Sequence, residues 1–201
     1  MGHGTWDMGL GTWYLEQFSL LSSSGMQKRL LLDSVQFEIT IRRLCHQLIE
    51  NHDDFSKSCI IGLQPRGVFV ANRIHKYLLE ILKVPELKLG NLDVTFYRDD
   101  FRRREIISPS ETKINFLVEN QRVILVDDVF FTGRTIRAGM DALLDFGRPE
   151  KVELLTLVDR RYNRHLPISP DYIGVQVDTI SSEKVKVQWK ETDGDDAVWL
   201  I

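Results

Sequence analysis

The sequence predicts an α/β fold, and three observations carry the prediction. Residues 122–147, RVILVDDVFFTGRTIRAGMDALLDFG, open with Val123-Ile124-Leu125-Val126, a β-branched apolar run short enough for a buried strand. They then pass through a polar loop into a helical pattern with Ile136, Met140, Leu143 and Leu144 on one face and Gly147 as its C-cap. Residues 58–81 repeat that order: Ser58 to Leu63 as strand, Gln64-Pro65-Arg66-Gly67 as turn, and Ala71, Ile74, Leu78 and Ile81 on a helix face. A third apolar strand runs from Lys151 to Val158. Strand–loop–helix units of this kind belong to open α/β sheets, in which ligands bind at the carboxyl ends of the strands.

The first element of the domain is a helix. Asp33 and Gln36 have the spacing of a capping box, opening a helix through about residue 51 with Phe37, Ile41, Leu44 and Leu48 facing the core. Arg42, Arg43 and His46 lie together off that stripe, which by itself describes a solvated face. After the second unit, residues 91–97 (NLDVTFY) alternate as a strand, and Lys113 to Leu117 return as its partner. The long polar stretch between them, from Arg98 to Thr112, suits a lid that closes over a diphosphate and excludes water. Beyond Val158-Asp159-Arg160-Arg161, the alternating segments at 166–177 and 184–189 form a small cap over the mouth of the sheet, with Trp199 as a packing residue.

Length and charge frame the rest. A chain of 201 residues is one domain by default and can bury about 70% of its unfolded surface. Hydrophobic residues make up 43% and charged residues 27%, as in a soluble globular protein, and no apolar run approaches a membrane span. The net charge of −3 means that nucleic-acid binding requires a local patch. Cys45 and Cys59 form no CxxC pair and suit a reducing cytoplasm, with buried packing as their role. Residues 1–25 contain no Lys or Arg, so they lack the n-region of a signal peptide. Their glycines and Ser-Ser-Ser-Gly end read as a disordered extension, with the functional domain at 26–201 beginning at Met26.

The chemistry concentrates in the first unit. Thr132-Gly133-Arg134-Thr135 stands where a helix N-terminus offers free N–H groups and a positive dipole end to a phosphate. Gly133 permits close backbone approach, and the threonine hydroxyls add donors. Asp127 and Asp128, at the strand end, are acceptors for sugar hydroxyls or a hydrated Mg²⁺. The ligand therefore has a phosphate at one end and a polyol or metal at the other. Arg66 offers a planar guanidinium to a second anion, and Gly67 again allows close approach. A Walker A loop is excluded because no GxxxxGK[ST] occurs.

VILVDDVFFTGRT closely resembles the phosphoribosyl-pyrophosphate (PRPP) motif of type I phosphoribosyltransferases. The order LLD, IIGLQPRGVFVANRI, LDVTFYRDD, VILVDDVFFTGRTIRAGMDALLDFGRP, LVDRR, LPISPDYIG and SEKVKVQ resembles one branch, the bifunctional pyrimidine-operon attenuator and uracil phosphoribosyltransferase family, over nearly all of 26–201. The resemblance implies a parallel sheet with helices on both faces, a lid hairpin and a C-terminal hood. It implies conversion of uracil and PRPP to UMP and pyrophosphate with Mg²⁺ held through PRPP near Asp127 and Asp128. It also implies a homodimer or higher assembly and UMP-dependent binding of leader mRNA. On this resemblance Asp127 and Asp128 hold the ribose, Thr132, Gly133, Arg134 and Thr135 hold the 5′-phosphate, and Arg66 and Gly67 hold pyrophosphate. Arg98 would neutralise charge developing on the leaving group. Uracil would sit near Asp159 and Arg160, recognised largely by backbone groups, and no residue stands out as a general base. The attenuator face would use Arg43, His46 and Arg164.

That face is where the chain departs from the family. The stretch Arg160 to His165 is one residue longer than usual, Asn163 replaces a histidine, and Ser169 and Val175 stand where basic residues are common. Arg42, Arg161 and His165 are nearby cations, yet the expectation is weak RNA binding beside intact enzyme activity. Two alternatives stay open, an RNA attenuator using the site as a UMP sensor and a phosphoribosyltransferase for another base. Hypoxanthine-type enzymes usually have Glu-Asp in place of Asp127-Asp128, and orotate-type enzymes lack the VDRR and SEKVKVQ segments.

Overall fold

A computed structural model describes residues 28–99, 109–162, 164–180 and 182–201. The arm at 1–25, residues 100–108 of the expected lid, and Asn163 lie outside the described residues. The larger sheet is parallel throughout. It contains β2 (Ser58–Leu63), β3 (Leu89–Leu92), β4 (Arg122–Phe130), β5 (Lys151–Arg161) and β6 (Tyr172–Asp178), in the order β3-β2-β4-β5-β6.

Alternation along the central strands sends side chains to two cores. Ile60, Ile124, Val126 and Leu155 meet α1 (Ser34–His52) and α2 (Gly67–Leu82). Ile61, Val123, Leu125 and Leu154 meet α3 (Arg134–Leu143) on the other face. Strands buried on both faces must be near-continuously apolar, which is why 123–126 and 59–63 read so clearly in the sequence. The capping box of α1 is formed, with Gln36 N 2.8 Å from Asp33 Oδ1 and Asp33 N 3.2 Å from Gln36 Oε1.

A second, antiparallel sheet forms the hood in the order β1-β8-β7, from β1 (Arg29–Leu32), β7 (Val185–Gln188) and β8 (Ala197–Leu200), with the short helix α4 (Lys190–Asp193) between the last two. Its apolar side, Leu32, Val187, Val198 and Leu200 with the neighbouring Trp189, closes on the α1–α2 core. The sequence pattern anticipates β7 but not the contribution of β1, which comes from the far end of the domain.

Two expectations are corrected. Residues 91–97 do not form one strand: β3 ends at Leu92 and Thr95–Tyr97 is a single 3₁₀ turn. The cause is Asp93, whose Oδ1 accepts from Thr95 N at 3.0 Å and Thr95 Oγ1 at 2.6 Å, curling the chain out of the ladder. Lys113 to Leu117 do not form the partner strand, since a single antiparallel bridge joins Asn91 to Lys113. Ile114 and Phe116 instead pack against the α3-side core. A smaller difference concerns α3, which passes through a 3₁₀ turn, Leu144–Phe146, before Gly147 ends it at φ 125°.

Candidate active site

Strand β4 carries the two acids. Pairing with β5 continues through Val129 and Phe130, so Asp127 and Asp128 lie within the last residues of the ladder, at the carboxyl end of β4. Both are buried. Asp127 Oδ1 accepts from Asp128 N at 2.9 Å, and Asp128 Oδ1 accepts from Val129 N at 2.8 Å. Burial pushes the Asp127 carboxyl well above its ordinary range, and the neighbouring Asp128 charge adds to this. Burial also raises Asp128, where Arg66 pulls the other way.

Two cations face these acids. Arg66 Nε lies 3.0 Å from Asp128 Oδ2, and its Nη2 donates to the hood carbonyl of Val187. Arg98 Nη1 donates to Thr135 Oγ1 at 2.9 Å, and its charge favours an ionised Asp127. Together with Gln64 they line a cleft of about 170 Å³. A larger hollow of about 610 Å³ beside Phe55, His75 and Phe116 lies at the amino ends of the strands, away from any such convergence of acids and guanidiniums.

The loop before α3, where the sequence places a phosphate, is built by Gly133. Its φ of 90° precedes α3, and no side chain caps that helix. The nearest hydroxyl, Thr132 Oγ1, is 3.5 Å from Arg134 N, so the first-turn donors keep their capacity for an anion. Arg134 reaches out to Asp99 at 3.2 Å. Gly67 also packs closely against the sheet. A Cβ there would stand 2.4 Å from Val126 O, so its close approach is to β4, setting α2 against the strand that presents Asp127.

The end of β5, where the sequence places the base, is tightly bonded. Asp159 is buried, with Arg164 Nη2 on Oδ1 and Gln176 Nε2 3.3 Å from Oδ2. Arg160 lies over the Phe131 ring at 3.9 Å, with Nε 3.1 Å from Thr179 Oγ1 and Nη2 2.7 Å from Glu183 O. These partners occupy both side chains. The three residues of the expected RNA face are dispersed in role. Arg43 Nη2 donates to Ile173 O and Gly174 O on β6, Arg164 is folded inward, and His46 is exposed.

Gln64 and Gln176 carry no chemical signature in the sequence, yet one lines the cleft and the other bonds to Asp159. Gln64 is adjacent to the Arg66 turn, which is the only local hint of its place. For a metal, no group of three or more His, Cys, Asp or Glu exists among the described residues. Two oxygen-only carboxylates nevertheless fit a hard cation that takes one or two carboxylates and completes its shell with phosphate oxygens and water.

Comparison with known proteins places the chain in a family. The family described as "Phosphoribosyl transferase domain" matches residues 29–192. A relative from Desulfosudis oleivorans named "Bifunctional protein PyrR" is 46% identical over 176 residues, covering 86% of this chain and 96% of its own. Another of the same name, from Synechocystis, is 43% identical over 173 residues, covering 85% and 95%. Among solved structures, the hypoxanthine phosphoribosyltransferase of Trypanosoma cruzi superposes with a TM-score of 0.63 at 14% identity, covering 86% and 95%. That of Staphylococcus aureus gives 0.61 at 19% identity, covering 85% and 90%. At such identities the structures share the fold alone.

Proposed function

This chain belongs to the phosphoribosyl transferase domain family, and from that premise we propose that it makes UMP and pyrophosphate from uracil and PRPP, in a family that also regulates pyrimidine-operon expression. The single observation that supports the activity most strongly is the pairing of Asp127 and Asp128 with the uncapped α3 N-terminus at the end of one strand.

The chain's residues then divide the work. The 132–135 loop binds the 5′-phosphate, a remote group whose binding energy orients the reacting centre. Asp127 and Asp128 hold the ribose hydroxyls as the bond from C1 to pyrophosphate breaks and the bond to N1 of uracil forms, leaving C1 transiently electron-poor, with the N1 proton passing to the departing pyrophosphate. A carboxylate held beside C1 stabilises the electron-poor centre as it forms, and burial strengthens that interaction. Arg66 exchanges the Asp128 carboxylate for pyrophosphate oxygens, and Arg98 approaches the same group. Asp127 and Asp128 would also hold Mg²⁺ brought by PRPP, which when bound supplies charge neutralisation on the diphosphate.

The test is PRPP- and Mg²⁺-dependent product formation with uracil, orotate, hypoxanthine and xanthine. Uracil is expected to be preferred and metal removal to abolish turnover, whereas equal use of hypoxanthine would move the assignment to a purine enzyme. We place catalysis in 26–201, in a homo-oligomer of cytoplasmic location, so a chain starting at Met26 keeps the full rate. Loss of activity on that trimming would show that the arm contributes.

For RNA, the geometry favours a weak role. Arg43 and Arg164 are bonded to carbonyls, Arg42 pairs with Glu38 at 2.9 Å, and Arg161 pairs with Asp178 at 2.6 Å.

A further inference from the structure

Arg164 is an unusual arginine for a loop. Beyond β5 the chain turns at Tyr162, with φ 67°, and comes back alongside the phosphate loop, where His165 N donates to Thr132 O at 3.0 Å. The following residues wall that loop: a Cβ on Gly133 would lie 3.4 Å from Leu166 Cβ and 3.7 Å from Ile168 Cδ1. The Arg164 side chain is only 24% exposed. Its Nη1 donates to Arg160 O at 3.1 Å, to Phe130 O at 3.4 Å and to Phe131 O, while Nη2 bonds to Asp159 Oδ1. Its Cζ stands 3.7 Å over the Phe130 ring.

Four acceptors from the ends of β4 and β5 therefore converge on one guanidinium. Two of them, the carbonyls of Phe130 and Phe131, belong to the residues where ladder pairing stops and the phosphate loop begins. A planar fork of donors is the side chain able to reach carbonyls and a carboxylate from one point. A half-buried guanidinium with this many partners has its place in the fold fixed by the loop it holds.

We infer that Arg164 is a positioning residue for the 5′-phosphate of the substrate, clamping the loop at 131–133 so that the donors of Thr132 to Thr135 converge. The inference rests on the phosphoribosyltransferase reading and goes beyond it, because it moves this arginine from a nucleic-acid face to the enzymatic site. Arg164→Lys separates the two roles, since lysine keeps the charge but has no fork to bridge the carbonyls and Asp159.

Calorimetry on the full chain would measure UMP, which uses the phosphate loop, and inorganic pyrophosphate, which uses the Arg66 side. Steady-state kinetics would give the PRPP and uracil KM values. A misplacement of about 1 Å can cost roughly a hundredfold. Arg164→Lys is expected to weaken UMP and raise the PRPP KM by tenfold or more, with pyrophosphate binding within twofold of the parent. Arg161→Ala should leave all of these unchanged. Unaltered UMP binding in Arg164→Lys would overturn the inference, and so would equal weakening of UMP and pyrophosphate, which is the mark of general damage. If the lysine variant does not fold, Arg164→Gly with added methylguanidinium decides, because recovery of UMP binding supports the clamp and failure to recover it in folded protein refutes it. A parent protein that binds UMP yet turns over no uracil would fail the function and leave the clamp standing.

Discussion

Replacing Asp127 by asparagine separates what the acid does for catalysis from what it costs the fold. The carboxylate is buried, its Oδ1 accepts from Asp128 N at 2.9 Å, and an asparagine Oδ1 can take over that bond. What disappears is the charge. Because burial and Asp128 raise the folded-state pKa above the unfolded value, the folded protein binds a proton that the unfolded chain has already released. Stability therefore falls as pH rises from near the ordinary carboxylate range through the folded pKa. The slope of that loss approaches about 1.4 kcal/mol per pH unit for one group. Asp127→Asn removes this loss. Urea titrations from pH 4 upward, without ligand, should show the variant gaining on the parent as pH rises. Its catalytic efficiency should fall about ten- to hundredfold, the equivalent of roughly 1.5–3 kcal/mol for a charged hydrogen bond. A variant that is less stable than the parent by the same amount at every pH would refute the reasoning, since the acid would then be a structural asset. Unchanged kinetics would remove it from the mechanism.

Gly133→Ala forces an L side chain to φ 90°, which should cost about 1–2 kcal/mol of stability and weaken UMP by at least tenfold in calorimetry; parental affinity would show that the loop tolerates rearrangement. At the opposite pole, buried His52 bonds through Nδ1 to Ser58 Oγ at 2.8 Å and has Nε2 2.7 Å from Glu153 Oε2, and burial pushes its pKa down despite that carboxylate. The unfolded chain then takes the proton first, so stability should be lost as pH falls below about 6.5, and His52→Gln should flatten the melting temperature across that window; an unchanged pH profile would contradict this. For a pyrimidine-operon leader hairpin, each phosphate contact adds about −0.7 to −0.9 to the log–log salt slope, so with Arg43 and Arg164 engaged internally the slope should be shallower than about −2. Nanomolar, UMP-enhanced binding that is lost in Arg43→Ala while enzyme activity persists would restore the attenuator role.

What the chain discloses locally it discloses well. Strand β2 and the capped helix α1 follow from continuous apolar runs and a capping box, signals contained within a few residues. The two acids and the Thr-Gly-Arg-Thr turn are legible for the same reason, since strand, loop and helix start are contiguous. The end of β3 is local too, but Asp93 outweighs an alternating pattern that continues past it, and pattern alone does not rank a side-chain-to-backbone bond against a ladder. The paired strand expected at 113–117 fails because Ile114 and Phe116 find apolar neighbours in the α3-side core.

The arginines are the hardest residues to read, and the reason is the distance of their partners. Arg43 sits on a helix face that looks solvated, yet it bonds to Gly174, 131 residues away, and Arg66 reaches Val187 across 121. A guanidinium on the page of a sequence is a charge, but in the fold it is a set of directed donors whose acceptors are settled only when the sheet and hood assemble. Counting cations therefore overstates a nucleic-acid face whenever carbonyls at strand ends compete for the same groups. Edge strand β6 and the loop after β4 present such carbonyls here, and Arg43 and Arg164 bond to them. Asp159 follows the same rule, since its pairing with Arg164 and Gln176 arises from the fold and not from its neighbours in sequence.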